Sequence, residues 1–192
     1  HKISTINNQG MQELKEYLLS LKLHLKDREK FDRGIFSLFI DRVFTAKGFG
    51  HIITGTVGSG KVEVGDKLHL LPDNKEIKVR GIQTHNDNTK KLIMGDRAAL
   101  NIQSNQKINL KRGDHVSTSS FYNNIETAIV KIEILSKFKK GLKNNDRLRV
   151  YIGTQEVMAR IFFSSNIKDL IVKNKSIAIL KFEKLIIAPF YE

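Results

Sequence analysis

The stretch closest to a known chemical signature is Gly55-Thr-Val-Gly-Ser-Gly60-Lys61, which matches a phosphate-binding loop of the form G-x-x-x-x-G-K-[ST] in all but its last position. Val62 stands where a hydroxyl would hold magnesium. The next residues, Val62-Glu-Val-Gly-Asp66, read as strand and turn where the motif needs a helix N-terminus to receive phosphate. A tight Gly-Ser-Gly hairpin accounts for the same glycines. The six histidines, at 1, 24, 51, 69, 85 and 115, fall one per segment without the H-x-x-x-H or H-E-x-x-H spacing that gathers metal ligands. With no cysteine in the chain, thiolate nucleophiles, zinc ribbons, iron–sulfur ligation and disulfides are excluded. Serines 117, 119 and 120 lack a G-x-S-x-G frame, and Glu63 and Asp66 flank a glycine as turn residues do. The sequence thus holds no catalytic constellation, and the expected role is binding.

Charge points to what is bound. There are 33 Lys and Arg against 20 Asp and Glu, a formal net charge of +13. The excess is spread along the chain and not confined to a tail, which suits a polyanionic partner. Lys137, Lys139, Lys140, Lys143, Arg147 and Arg149 crowd one predicted strand–loop–strand and are the candidates for phosphate contacts. A solvated Lys-rich hairpin is the competing reading of the same cluster.

Two kinds of element must position these groups. Met11, Leu14, Leu18, Leu21 and Leu25 recur at spacings of three and four, which predicts one amphipathic helix over roughly 9–28, with Asn7 or Asn8 as N-cap. Such an uncovered stripe predicts self-association of the isolated piece through the helix. From Ile35 the pattern changes to short runs rich in Ile, Val, Phe and Thr separated by Gly or Asn turns, which predicts all-β structure. The predicted strands are 35–44, 51–57, 61–71, 75–84, 96–103, 115–119, 125–138, 146–163 and 176–190. A spacing near ten residues favours small antiparallel barrels. Phe121-Tyr-Asn-Asn124 separates two β regions, so the expected units are 1–34, 35–122 and 123–192. The chain starts at His1 with no leader-like segment and reads as an excised internal piece. Its longest apolar runs are far short of the ~20 residues of a membrane helix, so no membrane partner and a cytoplasmic setting are expected.

Phe39-Ile-Asp-Arg-Val-Phe-Thr-Ala-Lys-Gly-Phe-Gly-His-Ile-Ile-Thr-Gly-Thr-Val57, Val64-Gly-Asp-Lys-Leu68, Lys78-Val-Arg-Gly-Ile-Gln83 and Gly95-Asp-Arg-Ala-Ala-Leu-Asn101 together resemble the second domain of translational GTPases. The pairs Asp41-Arg42 and Asp96-Arg97, where elongation factor Tu has Glu-Asp and an Asn, point to the selenocysteine-specific elongation factor branch. Ile3-Ser4-Thr5 and Gly10-Met-Gln-Glu-Leu14 resemble the end of a GTPase domain. Tyr151-Ile-Gly-Thr-Gln-Glu-Val157 is similar to a strand of the third-domain barrel, which is expected to be truncated in this chain before its final strand. His51 departs from the Thr usual in the family.

The resemblance implies two consecutive translation-factor β-barrels behind one helix, serving a parent that is a GTPase using GTP and magnesium. The fragment itself then has no cofactor and no catalytic residue. The implied partners are selenocysteyl-tRNA, the ribosome and the parent's own GTPase domain. Asp41, Arg42 and Arg97 are implied around the aminoacyl end. A selenol is far more acidic than a serine hydroxyl, so two guanidiniums favour its anion, and Asp41 suits the aminoacyl ammonium or the orientation of an arginine. The alternative is that Asp41, Arg42, Asp96 and Arg97 form two structural ion pairs on adjacent strands. A generic RNA-binding barrel and another translational GTPase remain the competing functions, and whether Arg42 and Arg97 converge on one cleft separates them.

Overall fold

A computed structural model describes residues 2–24, 32–46, 50–118, 122–137, 140–163, 169–170 and 175–189. The chain divides into two units, 1–33 and 34–192. The first holds the helix α1, Met11–His24. Its first turn is closed by Leu14 N donating to the Gly10 carbonyl at 3.1 Å, so Gly10, and not Asn7 or Asn8, occupies the cap position. Leu14 is half-buried, while Leu18 and Leu21 are 55% and 39% exposed, so the stripe stays largely uncovered. Leu25 lies outside the described residues. No described helix is long and apolar enough to cross a membrane.

The second unit is all-β. Its first ten strands are β1 Ser37–Phe39, β2 Arg42–Ala46, β3 Gly50–Ser59, β4 Lys61–Glu63, β5 Lys67–Leu71, β6 Lys75–Thr84, β7 Asp87–Thr89, β8 Lys91–Ile93, β9 Arg97–Gln103 and β10 His115–Ser117. Strands β1, β10, β5, β6, β9 and β3 pair in that order, all antiparallel, and β1 pairs back onto β3. This makes a closed six-stranded barrel, with β2 added on the outer side of β3. Strict alternation drives the closure. In β9, for example, Ala98, Leu100 and Ile102 turn inward, while Arg97, Ala99 and Asn101 turn outward. The inward set meets Leu38, Ile53, Leu68, Ile77 and Val79 in one core.

The glycines of the near-miss phosphate loop lie in β3 and its turn into β4, as hairpin and not as anion cradle. A Cβ on Gly55 would overlap the Phe39 carbonyl oxygen. One on Gly60, where φ is +66°, would overlap the Ile35–Phe36 backbone. These glycines let β1 cross close against β3, so this stretch does not fit GTP. Calorimetric titration of the chain with GTP is expected to give no saturable heat.

The remaining strands are β11 Tyr122–Glu133, β12 Leu142–Lys143, β13 Arg147–Ile152, β14 Gln155–Phe163, β15 Asp169–Leu170 and β16 Lys175–Pro189. They form a four-stranded sheet in the order β11-β16-β14-β13 and a short β12–β15 pair, around a second core that includes Ala159, Ile161, Leu180, Phe182 and Ile186. Three predicted strands are broken. The run 61–71 turns at Val64–Asp66 around Gly65, 146–163 is a hairpin turning at Gly153–Thr154, and 35–44 divides at Ile40–Asp41, where the sequence shows no breaker.

Phe39 and Leu71 of the first barrel and Tyr122 and Ile187 of the second sheet share a third, small core. His115 sits fully buried beside it, its ring 4.6 Å from Phe39 and 4.1 Å from Tyr122 between centroids. Its Nε2 lies 2.9 Å from Ser37 Oγ, while Nδ1 has no hydrogen-bond partner. Burial holds the imidazole neutral, its pKa pushed from 6.5 down to about 3. Next to it, burial raises the Asp114 carboxyl from 3.8 to about 6 against the opposing hydrogen bond from Lys111 N.

The two shifts act oppositely on stability. Unfolding frees His115 to bind a proton below about pH 6.5, so its contribution is lost as pH falls from there toward 3. Asp114 is favoured protonated in the folded state, so its contribution is lost as pH rises from about 4 to about 6. They offset between pH 4 and 6. His115→Phe should expose the Asp114 slope: urea titrations at pH 4, 5 and 6 should show the variant losing ~1.4 kcal/mol per pH unit relative to the parent. A parallel pair of curves would contradict this.

Candidate functional site

The outer face of β2-β3-β9-β6 is built on small residues. Arg42 faces Thr54, Thr54 faces Ala99, and Ala99 faces Gln83, one continuous row across four strands. In the adjacent row Thr56 faces Arg97. Since inward neighbours alternate with them, Arg42, Thr54, Thr56, Arg97 and Ala99 all project on this outer side. Two strands at ~4.8 Å and two residues at ~3.4 Å separate Arg42 from Arg97, on the order of 12 Å between Cα atoms. Two extended arginine side chains span that distance.

A cleft of about 730 Å³ opens over this floor, and Asp41, Arg42 and Arg97 all line it. The three candidate residues are therefore brought together. Phe39 and Phe44 add apolar wall, Gln83 to Asn86 add one rim, and Gly153 and Thr154 reach in from the second sheet. Sequence reasoning missed these additions. His85 and Asn86, at φ +51° and +72°, form the two-residue turn that pairs Thr84 with Asp87. A His-Asn turn lacks the Asn-Gly signal that announces such hairpins.

The ion-pair alternative is met only in part. Asp41 Oδ2 lies 3.6 Å from Arg42 Nε, and Asp41 Oδ1 lies 3.5 Å from Arg112 Nη1. Arg42 and Arg112 are 71% and 69% exposed, so each pair contributes ~0–1 kcal/mol and leaves the guanidinium free to turn to a ligand. Asp96 does not pair with Arg97. Its Oδ2 accepts Ile93 N at 2.9 Å, closing the turn between β8 and β9. The Arg97 side chain has no hydrogen bond or ion pair among the described residues.

The basic cluster is a different surface. Arg147 is held by Glu183 in a bidentate pair at 2.7 and 2.8 Å, which raises the guanidinium pKa and holds the Glu183 carboxyl below its ordinary range. Arg149 lies 3.3 Å from Glu156, and a hydrogen bond with Tyr151 raises its pKa first, the Glu156 charge second. Lys137, Lys140 and Lys143 are exposed, and Lys139 lies outside the described residues. Among the described residues no group of three His, Asp or Glu side chains could hold a metal ion.

Residues 50–117 match the family model of elongation factor Tu domain 2. The chain is 30% identical over 161 residues to a selenocysteine-specific elongation factor of Desulfomicrobium baculatum, covering 84% of this chain and 25% of that protein. It is 34% identical over 161 residues to the selenocysteine-specific elongation factor of Methanocaldococcus jannaschii, covering 83% of this chain and 34% of the relative. Among solved structures, translation elongation factor SelB from Methanococcus maripaludis in its apo form superposes with a TM-score of 0.79 at 25% identity, over 97% of this chain and 43% of that one. The chain therefore spans about a quarter to a third of the length of the curated relatives it matches.

Proposed function

We propose that this chain, a homologue of selenocysteine-specific elongation factors with translation-factor β-barrel architecture, is the segment of such a factor that receives the aminoacyl end of selenocysteyl-tRNA. The reading rests on one observation: Arg42 and Arg97 line a single cleft floored by Thr54, Thr56 and Ala99. At neutral pH the selenocysteyl side chain is an anion, whereas seryl, of the same length, is neutral. Two guanidiniums lining one cleft therefore favour the selenolate over the hydroxyl, and the small floor leaves room for either. Asp41 supplies the one carboxylate beside them, suited to the aminoacyl ammonium. GTP, magnesium and delivery to the ribosome belong to the parent protein in this reading, and residues 1–34 are the end of its GTPase domain. The units 35–122 and 123–192 are its second and third domains.

The direct test compares the complete protein carrying this segment with selenocysteyl-tRNA and seryl-tRNA on the same tRNA body, by equilibrium binding at fixed salt. Tighter binding of the selenocysteyl form by at least a decade supports the reading. Equal binding rejects it in favour of a sibling translation factor.

We assign Lys137, Lys139, Lys140, Lys143, Arg147 and Arg149 to the tRNA backbone. Arg147 is already neutralised by Glu183, so the free lysines carry most of the effect. Replacing Lys137, Lys140 and Lys143 by Gln should flatten the slope of log affinity against log salt by roughly 2–3 units, at ~0.7–0.9 per phosphate. Arg147→Gln should change it less. An unchanged slope in the triple variant would make the cluster surface charge only.

A further inference from the structure

The turn Gly153–Thr154 belongs to the second sheet, yet it reaches the first barrel beside Asp41. Thr154 Oγ1 donates to the Ile40 carbonyl at 2.7 Å. The same carbonyl accepts Gly113 N at 2.9 Å, and Asp41 N donates to Thr54 O at 2.7 Å. The peptide group joining Ile40 to Asp41 is thus held at both ends, with the second sheet supplying one of three bonds. That peptide interrupts the run from β1 to β2 and sets the direction from which Asp41 approaches Arg42 and Arg112.

The surrounding contacts leave the turn little freedom. Gly153 has φ +56°, and a Cβ there would overlap the Phe39 ring. The next residue, Gln155, accepts Ile187 N through Oε1 at 3.0 Å and packs under Gly113. Gly153 and Thr154 themselves line the cleft.

From this geometry we infer that Thr154 is a positioning residue for the cleft: its hydroxyl fixes the Ile40–Asp41 peptide, so the second sheet helps set which aminoacyl group the first barrel accepts. The inference rests on the proposed function for the identity of the ligand, though not for the positioning itself. A hydroxyl is required and a methyl is not, which makes Thr154→Val the informative change and Thr154→Ser its rescue.

Two measurements separate the possible failures. In ¹⁵N–¹H spectra of this chain, Thr154→Val should shift the Nε–H signals of Arg42 and Arg112, and Thr154→Ser should restore them. In the complete protein, Thr154→Val should reduce the ratio of selenocysteyl-tRNA to seryl-tRNA affinity by ~5-fold, with the melting temperature lowered by only the few degrees that loss of one internal hydrogen bond brings. Thr154→Ser should keep the ratio within about twofold of the parent by the same scale. If Arg97→Ala abolishes the ratio and Thr154→Val leaves it intact, the inference is overturned while the proposed function stands. If neither variant changes the ratio, the proposed function falls, and the spectra decide the inference: unmoved arginine signals overturn it, and moved ones uphold Thr154 as the residue that positions Asp41.

Discussion

In the complete protein, Arg42→Ala or Arg97→Ala should weaken selenocysteyl-tRNA binding at least tenfold and barely alter seryl-tRNA binding. Removing one guanidinium leaves the selenolate under-paired. Arg42 is 71% exposed in the unliganded cleft, so the effect arises in the bound state, where the aminoacyl end covers the guanidiniums; truncating one partner of a pair covered in that way costs on the order of 2–5 kcal/mol, and ~1.4 kcal/mol is one decade. Of the two, Arg97 should show the larger loss. Arg42 already shares Asp41 at 3.6 Å, whereas Arg97 has no partner among the described residues to give up when a ligand arrives. Arg97→Lys should recover only part of the affinity, because an ammonium keeps the charge without the planar fork of donors. Filter binding or fluorescence titration of both charged tRNAs decides the matter. Equal losses for the two tRNAs would mean that the arginines hold the fold or the RNA backbone, and the selectivity would have to come from elsewhere.

The largest stability effect is expected from the glycines that imitate a phosphate loop. Gly55→Ala should destabilise the first barrel by about 1–3 kcal/mol, since the new methyl overlaps the Phe39 carbonyl and meets Leu38 Cδ2 at 2.8 Å, and a backbone oxygen in a closed sheet has nowhere to go. Gly60→Ala adds a left-handed backbone penalty of ~1–2 kcal/mol to a similar overlap with the Phe36 amide. Gly65→Ala is the control. There φ is +103° but nothing lies within 4 Å of the new atom, so it reports the backbone penalty without the collision. Urea unfolding midpoints at constant m-value would rank the three; a Gly60 midpoint no lower than that of Gly65 would remove the close-approach explanation.

Much of the barrel was legible because alternation in a half-buried strand is a local property. Arg97–Gln103 carries inward Ala, Leu and Ile at every second position, Lys75–Thr84 carries inward Ile77, Val79 and Ile82 with one slip of register at Arg80–Gly81, and the structure follows the predicted bounds almost to the residue. The break at Ile40–Asp41 was not legible. It depends on bonds from Asp114, Gly113 and Thr154, which lie 73 to 114 positions away, and no local pattern announces them. The short strands Asp87–Thr89 and Lys91–Ile93 escaped for a different reason: each is only three residues long, the first is wholly polar, and it follows a His-Asn turn that carries no hairpin signal. In the site, Asp41, Arg42 and Arg97 were marked by resemblance, and their meeting on one face follows from register. Phe39 and Thr154 enter the cleft through packing of the second sheet, which composition does not encode.

Strand β10 is only three residues long, yet it is the piece that joins β1 to β5: Ser37, Leu38 and Phe39 pair with Ser117, Val116 and His115, and these pair in turn with His69, Leu70 and Leu71. Until residue 117 leaves the ribosome, the nascent sheet is an open strip with two bare edges. Non-local closure of this kind is slow, and bare edges invite pairing with other chains. The point at which synthesis makes the segment safe is therefore set by three late residues. A chain stopped near 112 should be captured by chaperones or aggregate, whereas one extended just past 117 can clasp shut before the second sheet has been made.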